Sequence, residues 1–282
     1  MSEAYEDELR LALGLARTTG AAILEYYNVP LRVEQKKSAG HIEPVTEADR
    51  VANELIVNAI AGAFPHDGIL AEESTDTTHR LKRSRVWMID PLDGTSGFIE
   101  HNGDFAVQIG LAIDSSSVLG VVYQPLASLL YWAVRGRGAW IERAGFGPER
   151  AQVSAQSSLT EMRLAASRSH RSRRMDRVMR AFNFKEEIRR GSVGIKVGLI
   201  IEQQCDLYIH LSPHTKQWDT CAPEIILREA GGTLTDLFGR ALQYNTQDVQ
   251  NHNGLVASSG AAHCEIIERL APLLTEFGRV PV

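Results

Sequence analysis

Cysteine is scarce in this chain of 282 residues: Cys205, Cys221 and Cys264 are odd in number and show no CxxC or Cys/His spacing. That removes both a disulfide framework and a structural zinc site. Nowhere do about 20 apolar residues run together, as a bilayer-spanning helix requires. The opening stretch MSEAYEDELR is acidic where a secretory signal is basic and then apolar, so the expectation is a cytoplasmic protein that works away from membranes. Its 10 Pro and 23 Gly follow no period, which excludes a collagen-like chain. A basic excess is missing as well. With 30 Lys+Arg against 35 Asp+Glu the formal net charge is −5, which argues against a nucleic-acid polymer as partner. What remains, 44% hydrophobic and 23% charged, is a globular chain long enough for one large domain or two fused ones.

The charge is unevenly spread. From Arg163 to Lys196 there are eleven basic residues against three acidic ones, a window of +8 that leaves −13 for the rest. Two readings stand: a solvated, Arg-rich helix face, or an electrostatic funnel for an anionic substrate.

Apolar spacing predicts a helix, or two, over residues 3 to 27. A second runs from Val45-Thr46 to Phe64, with Val51, Leu55, Ala59 and Ala63 on one face and Pro65 as its stop. Thr46 and Asp49 fit a capping box. Short β-branched segments predict strands at Val86 to Ile89, Phe105 to Ile113, Val118 to Tyr123 and Leu130 to Val134, joined by turn residues into a largely antiparallel meander. Beyond a soft boundary at Gly145 to Ala155, strands at Leu164 to Ala166 and Leu207 to His210 alternate with helices at Met175 to Phe182, Gly194 to Glu202 and Thr220 to Ala230. The result is a mixed α/β chain of two lobes.

The segment Asp90-Pro91-Leu92-Asp93-Gly94-Thr95-Ser96 ends a strand with two carboxylates and small, hydroxyl-bearing residues. Pro91 constrains the exit, so that Asp90, Asp93 and an intervening carbonyl can address one spot. These are hard oxygen donors suited to Mg²⁺, and Gly94 to Ser96 can offer N–H groups to an oxyanion. An ordinary Asp-Pro turn followed by an Asp-Gly turn explains the same residues. Glu72-Glu73 closes another probable strand after Ile69-Leu70, and alternation lets only one of the two face a given metal. Asp219 opens a helix, where it could equally be an N-cap.

Taken together, Asp49, Glu72-Glu73, Asp90-Pro91-Leu92-Asp93-Gly94-Thr95 and Trp218-Asp219 with Ala222 resemble the lithium-sensitive, Mg²⁺-dependent phosphatase superfamily typified by inositol monophosphatase. Fructose-1,6-bisphosphatases and 3'(2'),5'-bisphosphate nucleotidases belong to the same superfamily, and the resemblance runs from about residue 36 to residue 240. It implies an α/β fold layered as an αβαβα sandwich. Residues 1–150 would form a lobe with most metal ligands, and residues 151–282 a lobe with Asp219 and the substrate-selecting residues, the two fused into one unit. It further implies two to three Mg²⁺ per site. Glu72, Asp90, the Leu92 carbonyl and Asp93 would hold one, Asp90, Asp93 and Asp219 a second, and Asp49 a weaker third through water. Glu72 and Thr95 would orient and deprotonate the attacking water, with Gly94, Thr95 and Ser96 cradling the phosphate.

Ser167-Arg168-Ser169-His170, the stretch Gly191 to Lys196, and Trp218 to Glu224 look most like the CysQ-type nucleotidases. The implied activity is release of the 3'-phosphate of adenosine 3',5'-bisphosphate, with Ser169, His170, Ser192 and Lys196 beside the nucleotide. Inositol monophosphatases place a glutamate seven residues before the Trp-Asp aspartate, and this chain has Ser212 there. An inositol-1-phosphate or sugar-phosphate phosphatase, such as one for fructose 1,6-bisphosphate, is the alternative, and a catalytically silent metal-dependent regulator a distant one. The expected partner is a small phosphorylated molecule, with room for a homodimer.

Overall fold

The computed structural model describes residues 5–30, 32–38, 41–168 and 172–282. The first half begins with α1 (Glu6–Tyr27), a hairpin of β1 (Glu34–Ser38) and β2 (His41–Val45), and α2 (Glu47–Ala63). Then come β3 (Gly68–Ala71), β4 (Arg85–Asp93), α3 (Thr95–Ile99), β5 (Ala106–Ile113), β6 (Ser116–Gln124), β7 (Leu129–Val134), β8 (Ala139–Arg143) and β9 (Glu149–Ala151). Strands β3 to β9 make a seven-stranded sheet in sequence order. It is the expected meander, except that β3 lies parallel to β4.

The second half follows with β10 (Arg163–Ser167), α4 (Arg173–Phe182), β11 (Glu186–Arg190), α5 (Val193–Ile201), β12 (Leu207–His210), α6 (Gln217–Glu229), β13 (Thr233–Thr235), β14 (Leu255–Ser258) and α7 (His263–Glu276). Its five strands are ordered β11-β10-β12-β14-β13, the first three parallel and the rest antiparallel.

Three apolar cores stack these elements into five layers, αβαβα. Helices α1 and α2 cover one face of the large sheet through Ala16, Ile23, Ile56 and Ile60. Helices α5 and α6 fill the space between the sheets through Ile195, Leu199, Ala222 and Ile226. Helices α4 and α7 cover the far face of the small sheet through Val178, Phe182, Ile266 and Leu270. A strand covered on both faces is apolar on both, which is why β5 reads as the continuous run Ala-Val-Gln-Ile-Gly-Leu-Ala-Ile.

The sequence reading errs on α2. Its buried side is Ala48, Ala52, Ile56 and Ile60, whereas Leu55 is exposed and Ala63 lies at the open end of the helix. The expected row runs one residue before the buried one, and at 3.6 residues per turn one residue is about 100° around the helix, enough to turn Leu55 away from the sheet.

Candidate active site

The site forms where β4 runs out. Residues three apart on a regular strand point to opposite faces. Between Asp90, which faces Gln108, and Asp93, which faces Ala106, β4 carries one residue more than β5, and this bulge brings both carboxylates into one cleft. Pro91 sits inside the bulge, where a missing N–H interrupts no ladder. Gly94 follows at φ 102°, and a Cβ there would stand 2.3 Å from the Asp104 carbonyl oxygen, so glycine is required. Helix α3 starts at once, held down by Phe98, whose ring lies 5.3 Å from Tyr27 and 5.1 Å from Phe105. Its first intrahelical bond runs from the Phe98 N–H to the Gly94 carbonyl at 3.0 Å. The N–H groups of Thr95, Ser96 and Gly97, all cleft residues, precede that bond and need other acceptors.

Two helices each deliver an aspartate by the same device. At the start of α2, Asp49 Oδ2 accepts the Thr46 N–H at 2.7 Å and the Thr46 hydroxyl at 2.6 Å. At the start of α6, Asp219 Oδ2 accepts the Lys216 N–H at 2.8 Å. Each is the third helical residue reaching back to the cap, so Lys216, not Asp219, is the N-cap of α6. Asp49 Oδ1 accepts the Thr95 hydroxyl at 2.9 Å, and the Leu92 carbonyl lies 3.3 Å from the same Oγ1. Asp49 is 1% exposed and stands behind Thr95, with both oxygens bonded.

Glu72 lines the cleft. Strand β3 ends at Ala71, so alternation does not govern the acidic pair that follows. Of the two acids Glu72 lines the cleft and Glu73 does not, while the Lys36 ammonium on β1 bonds Glu72 at 2.7 Å and Glu73 as well. From the other lobe, α5 begins at Ser192, whose φ of 48° is unusual for a residue with a side chain. Its Oγ accepts the Ile195 N–H at 3.1 Å and donates to Asp93 Oδ2 at 2.5 Å. Asp93 Oδ2 also accepts the Gly194 N–H at 2.9 Å and the Gln108 amide. Lys196 Nζ donates to the Gly191 carbonyl at 3.2 Å and lies 5.0 Å above the Tyr208 ring. Together these residues enclose a cleft of about 220 Å³.

The carboxylates repel one another. Burial, then the charges of Glu72, Asp93 and Asp219, push Asp90 well above the ordinary range, and a hydrogen bond with Glu72 adds to this. Burial and the charges of Asp93 and Glu72 do the same to Asp219. Burial lowers Lys196 to about 8 against the pull of Asp93, Asp104 and Asp219.

A family model described as "Inositol monophosphatase family" matches residues 5–275. The chain belongs to the inositol monophosphatase family. It is a phosphatase of a family that is generally Mg²⁺-dependent and acts on small phosphorylated substrates. It is 33% identical over 237 residues to the 3'(2'),5'-bisphosphate nucleotidase CysQ of Salmonella typhimurium, spanning 83% of this chain and 92% of that protein. It is 32% identical over 269 residues to a histidinol-phosphatase of Mycobacterium tuberculosis, 94% and 98% of the two chains. An IMPase structure from Thermotoga maritima superposes with a TM-score of 0.82 at 27% identity, covering 96% of this chain and all 100% of that one. No helix among the described residues is long and apolar enough to cross a membrane.

The donor set fits the family's metal. Asp90 and Glu72 meet within hydrogen-bond reach, an arrangement that needs a shared proton or a cation between them. Among the described residues, Asp93 spends only Oδ2 on protein donors. Oxygen-only donors suit Mg²⁺. Among the described residues no three acids surround one point; Lys36 bonds Glu72 and Ser192 bonds Asp93.

Of the residues proposed from sequence, Glu72, Asp90, Leu92, Asp93, Gly94, Thr95, Ser96, Ser192, Lys196 and Asp219 share this cleft. Ser169 and His170 lie outside the described residues. Ser212 and the residues that follow it to Lys216 line no part of the cleft. Lys36, Asp104, Gln108 and Tyr208 were missed, and Arg168 was read only within the nucleotidase-like stretch and the basic window. Gln108 had a signal, a lone amide inside the apolar β5, whereas Lys36 had none. Most of the basic window is elsewhere: Arg163 pairs with Asp206, Arg177 with Glu276, Lys185 with Glu161 and Arg189 with Glu187. Among the described residues the broad funnel therefore gives way to two cleft cations, Lys196 and Arg168.

Proposed function

We propose that this phosphatase removes the 3'-phosphate of adenosine 3',5'-bisphosphate in the cytoplasm, releasing AMP and phosphate. The observation that carries the reading is the charge of the cleft: the acids Glu72, Asp90, Asp93 and Asp219 line it together with the cations Lys196 and Arg168. One phosphate belongs over the four acids once cations are bound there, and a second anionic group belongs beside Lys196 and Arg168. The likeness to CysQ over 83% of the chain supports the same choice.

Glu72, Asp90, Asp93, Asp219 and the Leu92 carbonyl would hold two to three Mg²⁺, which would supply positive charge to the phosphoryl and leaving oxygens and acidify water. Asp49 fixes the Thr95 hydroxyl through the 2.9 Å bond. Thr95 and Glu72 then orient the attacking water, and Glu72 takes its proton. The N–H groups of Gly94, Thr95 and Ser96 bind phosphoryl oxygens, and Lys196 offsets the charge of the nucleotide.

A second reading has an observation of its own. The likeness to histidinol-phosphatase spans 94% of the chain, and Glu43 and Glu100 at the cleft would suit a cationic substrate. A phosphate-release panel with Mg²⁺ decides between them, using adenosine 3',5'-bisphosphate, L-histidinol phosphate, inositol 1-phosphate and fructose 1,6-bisphosphate. The highest kcat/KM is expected on adenosine 3',5'-bisphosphate. A higher value on any other ester overturns the nucleotidase assignment.

A further inference from the structure

Arg168 ends β10 at the cleft and is built in with unusual care for a half-exposed arginine. Its Nε donates to Asp104 Oδ2 at 2.6 Å and its Nη2 to the Arg189 carbonyl at 3.3 Å. Asp104 is only 3% exposed, and the same Oδ2 accepts the Gly191 N–H at 2.8 Å. A buried carboxylate needs such partners. This one spends its charge on the Arg168 guanidinium at the cleft, on that of Arg190 at 3.8 Å, and on fixing the residue before Ser192.

The two cleft cations differ in availability. Lys196 is 4% exposed and committed to the Gly191 carbonyl. The Arg168 side chain is 41% exposed, and a guanidinium carries five N–H donors, of which these two bonds use two. Glu43, Glu100 and Asn102 also line the cleft, and Asn102 accepts the Asp104 N–H at 3.0 Å, so among the described lining residues Arg168 is the exposed cation that an anion extending out of the cleft meets.

We propose that Arg168 is a specificity-determining residue that binds a second anionic group of the substrate, a phosphate or sulfate remote from the scissile one, and that Asp104 is its positioning residue. This rests on the nucleotidase reading and refines it: the enzyme selects doubly anionic esters because a planar donor fork stands fixed where the second anion falls. Asp104 acts by orientation and touches no substrate.

The test compares adenosine 3',5'-bisphosphate with adenosine 3'-monophosphate, with Mg²⁺, in the wild-type protein and in Arg168→Gln, Arg168→Lys and Asp104→Asn. Wild type is expected to prefer the bisphosphate. Arg168→Gln should lose about ten- to a hundredfold in kcat/KM on the bisphosphate, mostly through KM, and at least about tenfold less on the monophosphate. Arg168→Lys should recover part of the preference, and Asp104→Asn should weaken it without changing the pH profile. Equal losses on both esters, or a preference that survives Arg168→Gln, would mean that the Asp104 pair is a structural staple and would overturn the inference. A wild type with no preference for the bisphosphate overturns the nucleotidase reading itself, a result distinct from either.

Discussion

Lys196 carries a charge in a place where charge is hard to keep. Burial lowers its pKa to about 8, and part of what holds it that high comes from Asp93 and Asp219, whose charge bound cations would offset. Anionic substrate needs the ammonium, so kcat/KM should fall on an alkaline limb at about 8 or below as the proton is lost. Lys196→Arg should remove that limb, because a guanidinium stays charged past pH of about 12, while lowering the maximum through the longer side chain. A pH series of kcat/KM checks this, and a limb unmoved in the variant would assign it to another group. Legibility at this scale followed distance along the chain. The Thr46 and Asp49 cap could be read because its partners are three residues apart, whereas Lys36 reaches Glu72 across 36 residues and left no trace in the local pattern. Ser192 and Lys196 were reached through family resemblance and not through spacing.

Helix α6 brings Asp219 to the acids of β4, and two glycines let it come close. A Cβ on Gly120 of β6 would lie 2.4 Å from the Ala222 carbonyl oxygen and 2.8 Å from its Cα, and one on Gly110 of β5 would lie 2.8 Å from Cys221 Sγ. Backbone cannot yield as a flexible side-chain tip can, so Gly120→Ala must push the helix outward. Overpacking of this kind destabilises by about 1 to 3 kcal/mol. Because Asp219 moves with the helix, the Mg²⁺ concentration for half-maximal activity should rise roughly tenfold or more, an amount equivalent to about 1.4 kcal/mol of lost cation binding. Gly62→Ala on α2, with nothing within 4 Å of its new Cβ, is the control and should stabilise by about 0.5 to 1 kcal/mol. Activation curves and melting temperatures of the two variants test the claim, and an unchanged Mg²⁺ requirement in Gly120→Ala would sink it. Strands and helices with strong local periodicity were legible, as β5, β6 and α5 illustrate. The β4 bulge was not, because an extra residue is defined only against its partner strand. Strand β14 and helix α7 also went unread: β14 has four residues and follows the irregular stretch from Asp236 to Gly254, and α7 contains Pro272.

Across the whole molecule, the two sheets and the helices between them meet around buried acids whose charge opposes folding at neutral pH. Asp90 and Asp219 have pKa values raised in the folded state. Groups of that kind contribute stability below their unfolded pKa of about 4 and lose it as pH rises through the folded value, since the native state then holds more protons than the unfolded one. At neutral pH the metal-free protein therefore carries an electrostatic load. Asp90, 2% exposed, bears most of it, because burial, Glu72, Asp93 and Asp219 all act on it in one direction. Asp90→Asn removes a charge and leaves an amide able to donate to Glu72. In chelator its melting temperature should exceed that of the wild type by about 2 to 6 °C, the shift given by roughly 1 to 2 kcal/mol in a chain of this length. The excess should grow as pH rises from about 5.5 to 8. Mg²⁺ should reverse the order, because a ligand that binds only the folded state stabilises it by mass action, and the variant has lost a ligand. A wild-type protein more stable than Asp90→Asn in chelator, or a variant that keeps the full Mg²⁺ shift, would show that the acids of this cleft are balanced by the protein alone and that its stability owes nothing to bound cations.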